Sequence, residues 1–270
     1  MIDSALLIGG GVAAGIFGSL LGLGGGILIV PLLTLAFGLP LLTALGVSLV
    51  SVIVTSGASA GVYLERHVAN LRLGMTLELF TATGALVGGL LAFLVEERVL
   101  EGLFAALLLY VAITMARRSD PPPAAVGTAD EIPAEPPGFR SALSGPGYRV
   151  KRLGFGAIGS VFAGVVSALL GVGGGLVKVP VMHVVMGVPL RVATATSNLM
   201  IGITASASAI IYLLNGRIDP YVAAPTAVGV FLGASIGSRV VHRIDLRILR
   251  GLFVAILLYT AWQMLQRALQ

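Results

Sequence analysis

Apolar residues fill long runs of this chain, and polar residues are confined largely to the gaps between the runs. A helix needs about 20 apolar residues to cross roughly 30 Å of hydrocarbon. The runs are apolar on every helical face and are interrupted mainly by Gly, Ser and Thr. This pattern predicts spanning helices over Ala44–Leu64, Leu73–Val95, Val99–Ala116, Ala193–Leu214, Tyr221–Gly237 and Gly251–Met264.

The composition assigns these helices to a membrane. Of the 270 residues, 57% are hydrophobic and only 11% are charged, and the mean hydropathy is +1.01. A soluble domain carries about 25% charged residues, because a water-facing surface requires them. We therefore predict an all-α polytopic membrane protein whose main partner is the lipid bilayer.

Composition also excludes several kinds of chemistry. The chain has no cysteine, and its three histidines, His67, His183 and His242, are scattered, so we predict no metal site and no cofactor. The net charge of +5 comes from basic residues in the gaps between apolar runs. Membrane orientation accounts for basic residues in such gaps, so we predict no nucleic-acid partner.

A polar segment divides the chain into two membrane parts. Residues 117–152 contain seven prolines together with acids, bases and few large apolar residues, which is typical of a solvated linker. Basic residues near span ends favour the cytoplasm, so we expect the linker to be cytoplasmic. Residues 1–116 then form one membrane repeat, and residues 153–270 form the other.

The two membrane parts are copies of each other. Gly22–Pro31 aligns with Gly171–Pro180, which follows it by 149 residues, and the same offset holds without a gap as far as Tyr110 and Tyr259. Glycines, prolines and tyrosines keep this register, which chance similarity between apolar sequences does not produce. The offset therefore predicts two homologous structural units.

The relative orientation of the repeats depends on the first apolar stretch of each, Ser4–Gly38 and Leu153–Gly187, which is too long for one span. Two crossings by short broken helices give five helices per repeat and inverted copies, whereas one crossing gives four helices and parallel copies. The acidic loop Glu96–Arg98 corresponds to the arginine-rich loop Arg239–Arg247, and arginine favours the cytoplasmic side. We therefore expect inverted repeats of five helices each, with a parallel four-plus-four arrangement as the alternative.

Each repeat contains a Gly-Gly-Gly-x-x-x-x-Pro segment within that broken stretch. Glycine allows close backbone approach and proline frees a carbonyl, so interrupted helices expose polar groups where transporters with inverted repeats bind substrate. A glycine cluster also permits tight helix crossing, but two clusters at matched positions favour a binding site. We predict an anion site at Gly24, Gly25, Gly26, Gly173, Gly174 and Gly175.

Charged and titratable residues are rare within the apolar runs. Lys178 is a natural anion ligand at membrane depth, or it extends to water from the end of a short helix. Glu78 relays protons or balances a cation, or it lies near Arg72 at the interface. His183 titrates during transport, or it packs on a partly apolar face. Glu78 and His183 are thus the candidates for coupling to an ion, H⁺ or Na⁺.

Small polar residues cluster where a span begins in each repeat. Thr194, Ser197 and Asn198 lie together in the second repeat, and Ser48 occupies the position of Ser197 in the first. Hydroxyl and amide groups at a helix start cap the helix or receive an oxyanion, and the two roles are compatible. We therefore predict these four residues as substrate ligands.

These duplicated motifs resemble those of the sulfite exporter TauE/SafE family of membrane transporters. The resemblance covers essentially everything except the linker. It is carried by the two Gly-x-Gly-Gly-Gly-x-x-x-x-Pro segments, by the Gly-x-Pro of Gly38–Pro40 and Gly187–Pro189, and by the Ala-x-x-x-Ser of Ala44–Ser48 and Ala193–Ser197.

The resemblance implies a multi-pass carrier of the plasma membrane that exports small anions such as sulfite, sulfoacetate or other sulfonates, with ion coupling. Such a carrier would work by alternating access, with the substrate between the repeats. By position in the family motifs, the resemblance implies that Gly24–Gly26, Gly173–Gly175, Ser48 and Ser197 lie near the substrate.

Two other classes of function are alternatives to a transporter. A membrane scaffold that transports nothing would have the same composition. An intramembrane enzyme would need a nucleophile with a base or a metal cluster, but the chain lacks cysteine and His183 is the only histidine near a span interior. We therefore predict a secondary transporter of a small anion and not an enzyme, with a homo-oligomer among its expected assemblies.

Overall fold

A computed structural model of the protein describes residues 4–21, 25–65, 69–117, 143–145, 147–240 and 246–269. These ranges contain ten helices and no strand, which confirms the predicted all-α class. Short π-helical turns, Leu32–Ala36 and Val181–Val185, extend the second and seventh helices. The helices are α1 (Ser4–Leu21), α2 (Gly26–Pro31), α3 (Leu41–Glu65), α4 (Leu71–Leu91), α5 (Glu97–Arg117), α6 (Leu153–Leu170), α7 (Gly175–Pro180), α8 (Leu190–Leu214), α9 (Pro220–Val240) and α10 (Leu246–Leu269).

Seven helices among the described residues are long and apolar enough to cross a membrane, namely α3, α4, α5, α6, α8, α9 and α10. Six of them correspond to the six predicted spans and contain five of these in full, whereas α4 ends at Leu91, four residues before the predicted end at Val95. Many large apolar side chains remain exposed, including Leu94 and Leu214 at 80% each. Lipid surrounds such side chains in a membrane, so a multi-pass membrane protein accounts for an apolar surface of this extent.

The helices recur with the offset seen in the sequence. The starts of α1 to α5 are followed 149 residues later by the starts of α6 to α10. The packing recurs in the same way, because α1 packs on α9 while α6 packs on α4, and α3 packs on α8 while α5 packs on α10. Each of these contacts between the halves therefore has a counterpart with the halves exchanged.

Glycines allow the closest of these helix contacts. The Gly84-x-x-x-Gly88 spacing predicts close packing, and a Cβ at Gly84 or Gly88 would collide with the carbonyl oxygen of Val161 or Val165 in α6. A Cβ at Gly233 in α9 would likewise collide with the Val12 carbonyl of α1. The predicted packing role of these glycines is confirmed.

The first apolar stretch of each half folds back on itself. Gly10 of α1 faces Leu32, which follows α2, and Gly159 of α6 faces Val181, which follows α7. The segments Gly26–Ala36 and Gly175–Val185 are 11 residues long and so span only about 16 Å. Each stretch is thus a long helix and a short antiparallel helix separated by a glycine-rich break.

Contacts between helix ends define one side of the protein. The backbone N–H of Leu41 donates to Glu97 Oε1 at 2.7 Å, which joins the starts of α3 and α5. A Cβ on Gly46 would lie 2.7 Å from the Arg217 carbonyl oxygen, which follows α8. The starts of α3 and α5 and the end of α8 therefore lie on one side.

The opposite side holds the last residues before α6. The Asn70 N–H donates to Thr196 Oγ1 at 2.9 Å, and the Asn70 amide donates to the Tyr148 phenol at 2.7 Å. The Lys151 N–H donates to the Met186 carbonyl at 2.9 Å. The starts of α4, α6 and α8 therefore lie together.

The end of the linker is not solvated as the composition predicts. Leu143, Tyr148 and Val150 are buried, and they join an apolar cluster formed by α4, α8 and the segment after α7. The Asn70 amide fixes this segment by donating to the Leu143 carbonyl and the Tyr148 phenol. Burial raises the pKa of that phenol above its usual range. The rest of the predicted linker, residues 118–142, lies outside the described residues.

Candidate functional site

The two helix breaks meet in the protein interior, where α3 crosses α8. Ser48 Oγ of α3 donates to the Gly171 carbonyl at 2.7 Å and lies 3.3 Å from the Gly26 carbonyl oxygen. A Cβ on Gly26 would lie 2.8 Å from that same Gly171 oxygen. Ser56, two turns further along α3, donates to the Asn198 carbonyl of α8 at 2.6 Å. One serine thus contacts the backbone of both breaks.

Glycine is required at the breaks by backbone conformation. Gly25, Gly173 and Gly174 have φ values of 70°, 81° and 72°, in the left-handed region that favours glycine. A Cβ on Gly174 would lie 3.0 Å from the Ala163 carbonyl oxygen and 3.1 Å from Ser167 Cβ. The chain around Gly174 therefore has neither the conformation nor the space for a side chain.

Two buried hydroxyls flank the second break. Ser167 and Ser197 are each 1% exposed, and neither Oγ has a hydrogen-bond partner among the described residues. A Cβ on Gly174 would lie 3.5 Å from Ser167 Oγ, and a Cβ on Gly175 would lie 3.5 Å from Ser197 Oγ. A buried hydroxyl without a partner costs about 1–3 kcal/mol. These two groups are therefore available as hydrogen-bond donors to a ligand beside Gly174 and Gly175.

A buried ion pair involves Lys178 of α7, one turn after Gly175. Lys178 Nζ is 3.1 Å from Glu78 Oε2 and 2.5 Å from Thr204 Oγ1. The Thr204 hydroxyl donates to the other oxygen, Glu78 Oε1, at 2.6 Å. The three residues come from α7, α4 and α8 and are 1%, 3% and 0% exposed. They form a closed triad that joins the two halves of the molecule.

The repeat offset gives the triad an equivalent set of positions, but only one of the two sets contains charged residues. The positions 149 residues away hold Ile29 for Lys178, Ala227 for Glu78 and Thr55 for Thr204. One of the two equivalent contacts between the halves is therefore charged, and the other is apolar. A buried ion pair is weak evidence for stability compared with an apolar pair of similar volume, so the asymmetry makes the triad a candidate for a role in function.

An apolar layer separates the triad from the linker side. Leu77 precedes Glu78, Met182 lies one turn after Lys178, and Met200 lies one turn before Thr204. All three belong to the cluster that buries Leu143 and Tyr148. The triad is thus covered on this side by one apolar cluster.

The remaining predicted site residues occupy different places. Ser48 and Asn198 lie at the crossing of α3 and α8, whereas the Thr194 hydroxyl donates to the Leu190 carbonyl of its own helix. His183 is exposed, and its Nδ1 lies 2.9 Å from the Val188 carbonyl oxygen. Gly24 lies outside the described residues.

Two of the alternatives considered for the charged residues are wrong. Lys178 does not extend to water, because it is 1% exposed and paired with Glu78. Glu78 does not lie at the interface with Arg72, because it is buried and its carboxylate faces α7 and α8. A short helix that turns back into the protein carries Lys178 inward rather than toward the surface.

Sequence reasoning missed Thr204, Ser167 and Ser56. A signal for Thr204 exists, because it follows Ser197 by seven residues and so shares its helical face. Ser167 and Ser56 offer no such signal, since isolated serines in spans bond to their own helix as often as to a ligand. Only the packing of the helices distinguishes them.

Comparison with known proteins agrees with this architecture. The family model described as "Sulfite exporter TauE/SafE" matches residues 7–264. A probable membrane transporter protein of Bacillus subtilis, YunE, is 24% identical over 237 residues, which cover 85% of each chain. A second one, MJ0441 of Methanocaldococcus jannaschii, is 26% identical over 267 residues, covering 93% of this chain and 91% of the relative. No solved structure gives a significant match.

Proposed function

Since the chain belongs to the sulfite exporter TauE/SafE family, we propose that this multi-pass membrane protein exports a small anion, such as sulfite, a sulfonate or a related organic anion. It is a membrane transporter by family and by its relatives, which are named probable membrane transporter proteins. The plasma membrane is the location expected for this family. We propose the identity of the anion, the direction of transport and the mechanism on the evidence below.

The proposed substrate site lies between the two halves, where the helix breaks meet. The observation that carries it is the pair of buried hydroxyls, Ser167 and Ser197, which lack partners beside Gly174 and Gly175. Hydroxyl donors and a nearby ammonium suit an oxyanion, because charge-assisted hydrogen bonds to anionic oxygen are strong. The proposed ligands are Gly25, Gly26, Ser48, Gly173–Gly175, Lys178, Ser197 and Asn198, with Ser167 added.

We further propose that the halves are inverted repeats. The start of α1 shares a side with the starts of α3 and α5, since α1 and α2 are antiparallel and α2 leads into α3. The start of α6 lies on the opposite side, next to Asn70 and Met186. Equivalent helices of the halves therefore run in opposite directions. Inverted repeats support alternating access, in which one repeat moves against the other around a fixed site.

Cysteine labelling tests this topology in a chain that has no native cysteine. We expect Glu96→Cys and Arg217→Cys to react with a membrane-impermeant maleimide from one side of the membrane. Lys151→Cys and Asp245→Cys should react only from the other side, because they precede α6 and α10. Asp245 lies outside the described residues and corresponds to Glu96 by the repeat offset. Reaction of Glu96→Cys and Asp245→Cys from the same side would contradict the inversion.

Transport itself is tested with purified protein in liposomes. We expect counterflow of at least one of sulfite, methanesulfonate, isethionate and sulfoacetate, and no counterflow of choline. The same anion should raise the thermal unfolding temperature in detergent, because a ligand that binds only the folded state stabilises it by mass action. If no anion of the panel moves or stabilises the protein, a non-transporting scaffold becomes the better account.

A further inference from the structure

We infer that Glu78, Lys178 and Thr204 bind the substrate anion together with a proton, so that each anion moves with one proton in the same direction and export is driven by the outward gradient of the anion itself. This inference rests on the proposed function and names its coupling ion. It follows from the hydrogen bonds within the triad and from the charged residues around it.

The Glu78 carboxylate occupies the donors that an oxyanion needs. One of its oxygens accepts from Lys178 and the other accepts from the Thr204 hydroxyl, so the carboxylate bridges both donors. Two oxygens of a sulfite or sulfonate group also carry negative charge and can accept from the same two donors. An anion that pairs with the Lys178 ammonium therefore competes with Glu78 for the same positive charge.

No second cation is available to compensate both anions. The elements packed on Glu78 are α6, α7 and α8, and α6 contains no ionisable residue. Arg191 of α8 and His183 after α7 are exposed, as is Arg72 on α4 itself, and the Tyr212 hydroxyl of α8 donates to the Ala168 carbonyl. Among the described residues, Lys178 is thus the one cation that faces the site.

Charge balance then requires a proton. An ionised Glu78 and a bound monoanion would place two negative charges beside one buried ammonium, and an unpaired charge in the interior is costly. When Glu78 takes up one proton, it becomes a neutral acid, and Lys178 pairs with the anion instead. The proton and the anion each favour the binding of the other, which is the thermodynamic basis of symport.

Both forms of the site are neutral. In the empty form the ammonium pairs with the carboxylate, and in the loaded form it pairs with the anion while Glu78 carries the proton. Because the site has no net charge in either form, the energetic cost of carrying it through the low-dielectric interior is low in both forms. The positions equivalent to the triad, Ile29, Ala227 and Thr55, hold no ionisable group, so the ratio is one proton per anion.

The test uses proteoliposomes and a strong-acid monoanion, ¹⁴C-methanesulfonate or ¹⁴C-isethionate, whose own charge does not change with pH. For the wild-type protein, an outside pH one unit below the inside pH should support about tenfold accumulation, since one pH unit corresponds to a factor of ten. The flux of this monoanion should not respond to a potassium diffusion potential set with valinomycin. An uncoupled carrier would respond to that potential and ignore the pH gradient.

Variants assign the coupling to Glu78. Glu78→Gln cannot carry a proton, so it should lose the pH-driven accumulation while its net uptake becomes sensitive to the membrane potential. Glu78→Asp keeps a titratable carboxylate and should retain accumulation. Thr204→Val should weaken the apparent affinity for the anion. Thr226→Val is its matched control, since the Thr226 hydroxyl is buried and donates only to the Val222 carbonyl of its own helix.

The outcomes separate this inference from the proposed function. Wild-type counterflow without any accumulation on the pH gradient, or with net uptake that responds strongly to the potential, would overturn the coupling and leave the anion transporter intact. Accumulation that survives in Glu78→Gln would overturn the role of Glu78. If no anion moves in the wild-type protein, the proposed function is overturned and the coupling with it. The wild-type measurements decide the matter even if a variant fails to fold.

Discussion

Replacement of Lys178 by methionine is expected to lower the free energy of unfolding by about 3–5 kcal/mol and to abolish anion flux. Lys178 is 1% exposed and is the cation that pairs with the Glu78 carboxylate. Its removal leaves the carboxylate buried with only the Thr204 hydroxyl to donate to it. The loss of stability is measured by thermal and denaturant unfolding in detergent, and the flux by counterflow in liposomes.

The double variant Lys178→Met/Glu78→Gln distinguishes charge pairing from packing. It should regain most of the lost stability, because replacing both members of a buried ion pair by neutral groups is often neutral or stabilising. It should not regain flux, because no cation remains to bind an anion. Lys151 is the other lysine of the chain and is exposed, so Lys151→Met should change stability by no more than about 0.5 kcal/mol. A single Lys178→Met variant as stable as the wild type would contradict the buried pair.

The helices could be predicted from the sequence because lipid leaves few alternatives. A run of about 20 apolar residues has to form a helix in a membrane, since every backbone group must be satisfied within the segment. The register of glycines, prolines and tyrosines between the halves also predicted two homologous structural units. Its offset reappears without change in the starts of α1 to α5 and α6 to α10.

The pairing of Glu78 with Lys178 could not be predicted from the sequence. Each charge alone indicated that a partner or a pathway must exist, because an unpaired charge at membrane depth is costly. The partner, however, lies 100 residues away and on the other half of the chain. Which helices are neighbours depends on packing between apolar faces. The periodicity of side chains along the sequence does not indicate which faces pack together.

The linker shows a second limit of composition. Its prolines and charges predict a solvated segment, yet Leu143, Tyr148 and Val150 are buried near the start of α6. Three apolar side chains suffice for this docking once Asn70 supplies hydrogen bonds to the Leu143 carbonyl and the Tyr148 phenol. A short cluster of this kind is diluted in the average composition of residues 117–152.

A leucine at Gly174 is expected to reduce anion flux by at least about tenfold, which corresponds to about 1.4 kcal/mol of lost binding. Two effects combine at this position. The φ of 72° disfavours any side chain by about 1–2 kcal/mol, and a Cβ there meets the Ala163 carbonyl oxygen at 3.0 Å. The leucine would also project toward Ser167, one of the two unpartnered hydroxyls.

Gly216 offers a matched control for the backbone effect. Its φ is 66°, but a Cβ there would meet no atom within 4 Å, and it follows α8 on the side away from the linker. Gly216→Leu should therefore show the cost of the left-handed conformation alone, with flux per folded protein close to that of the wild type. Flux and unfolding are measured on the same preparations, so that a loss of folded protein is not counted as a loss of transport. Equal flux in Gly174→Leu and Gly216→Leu would exclude the second helix break from the substrate site.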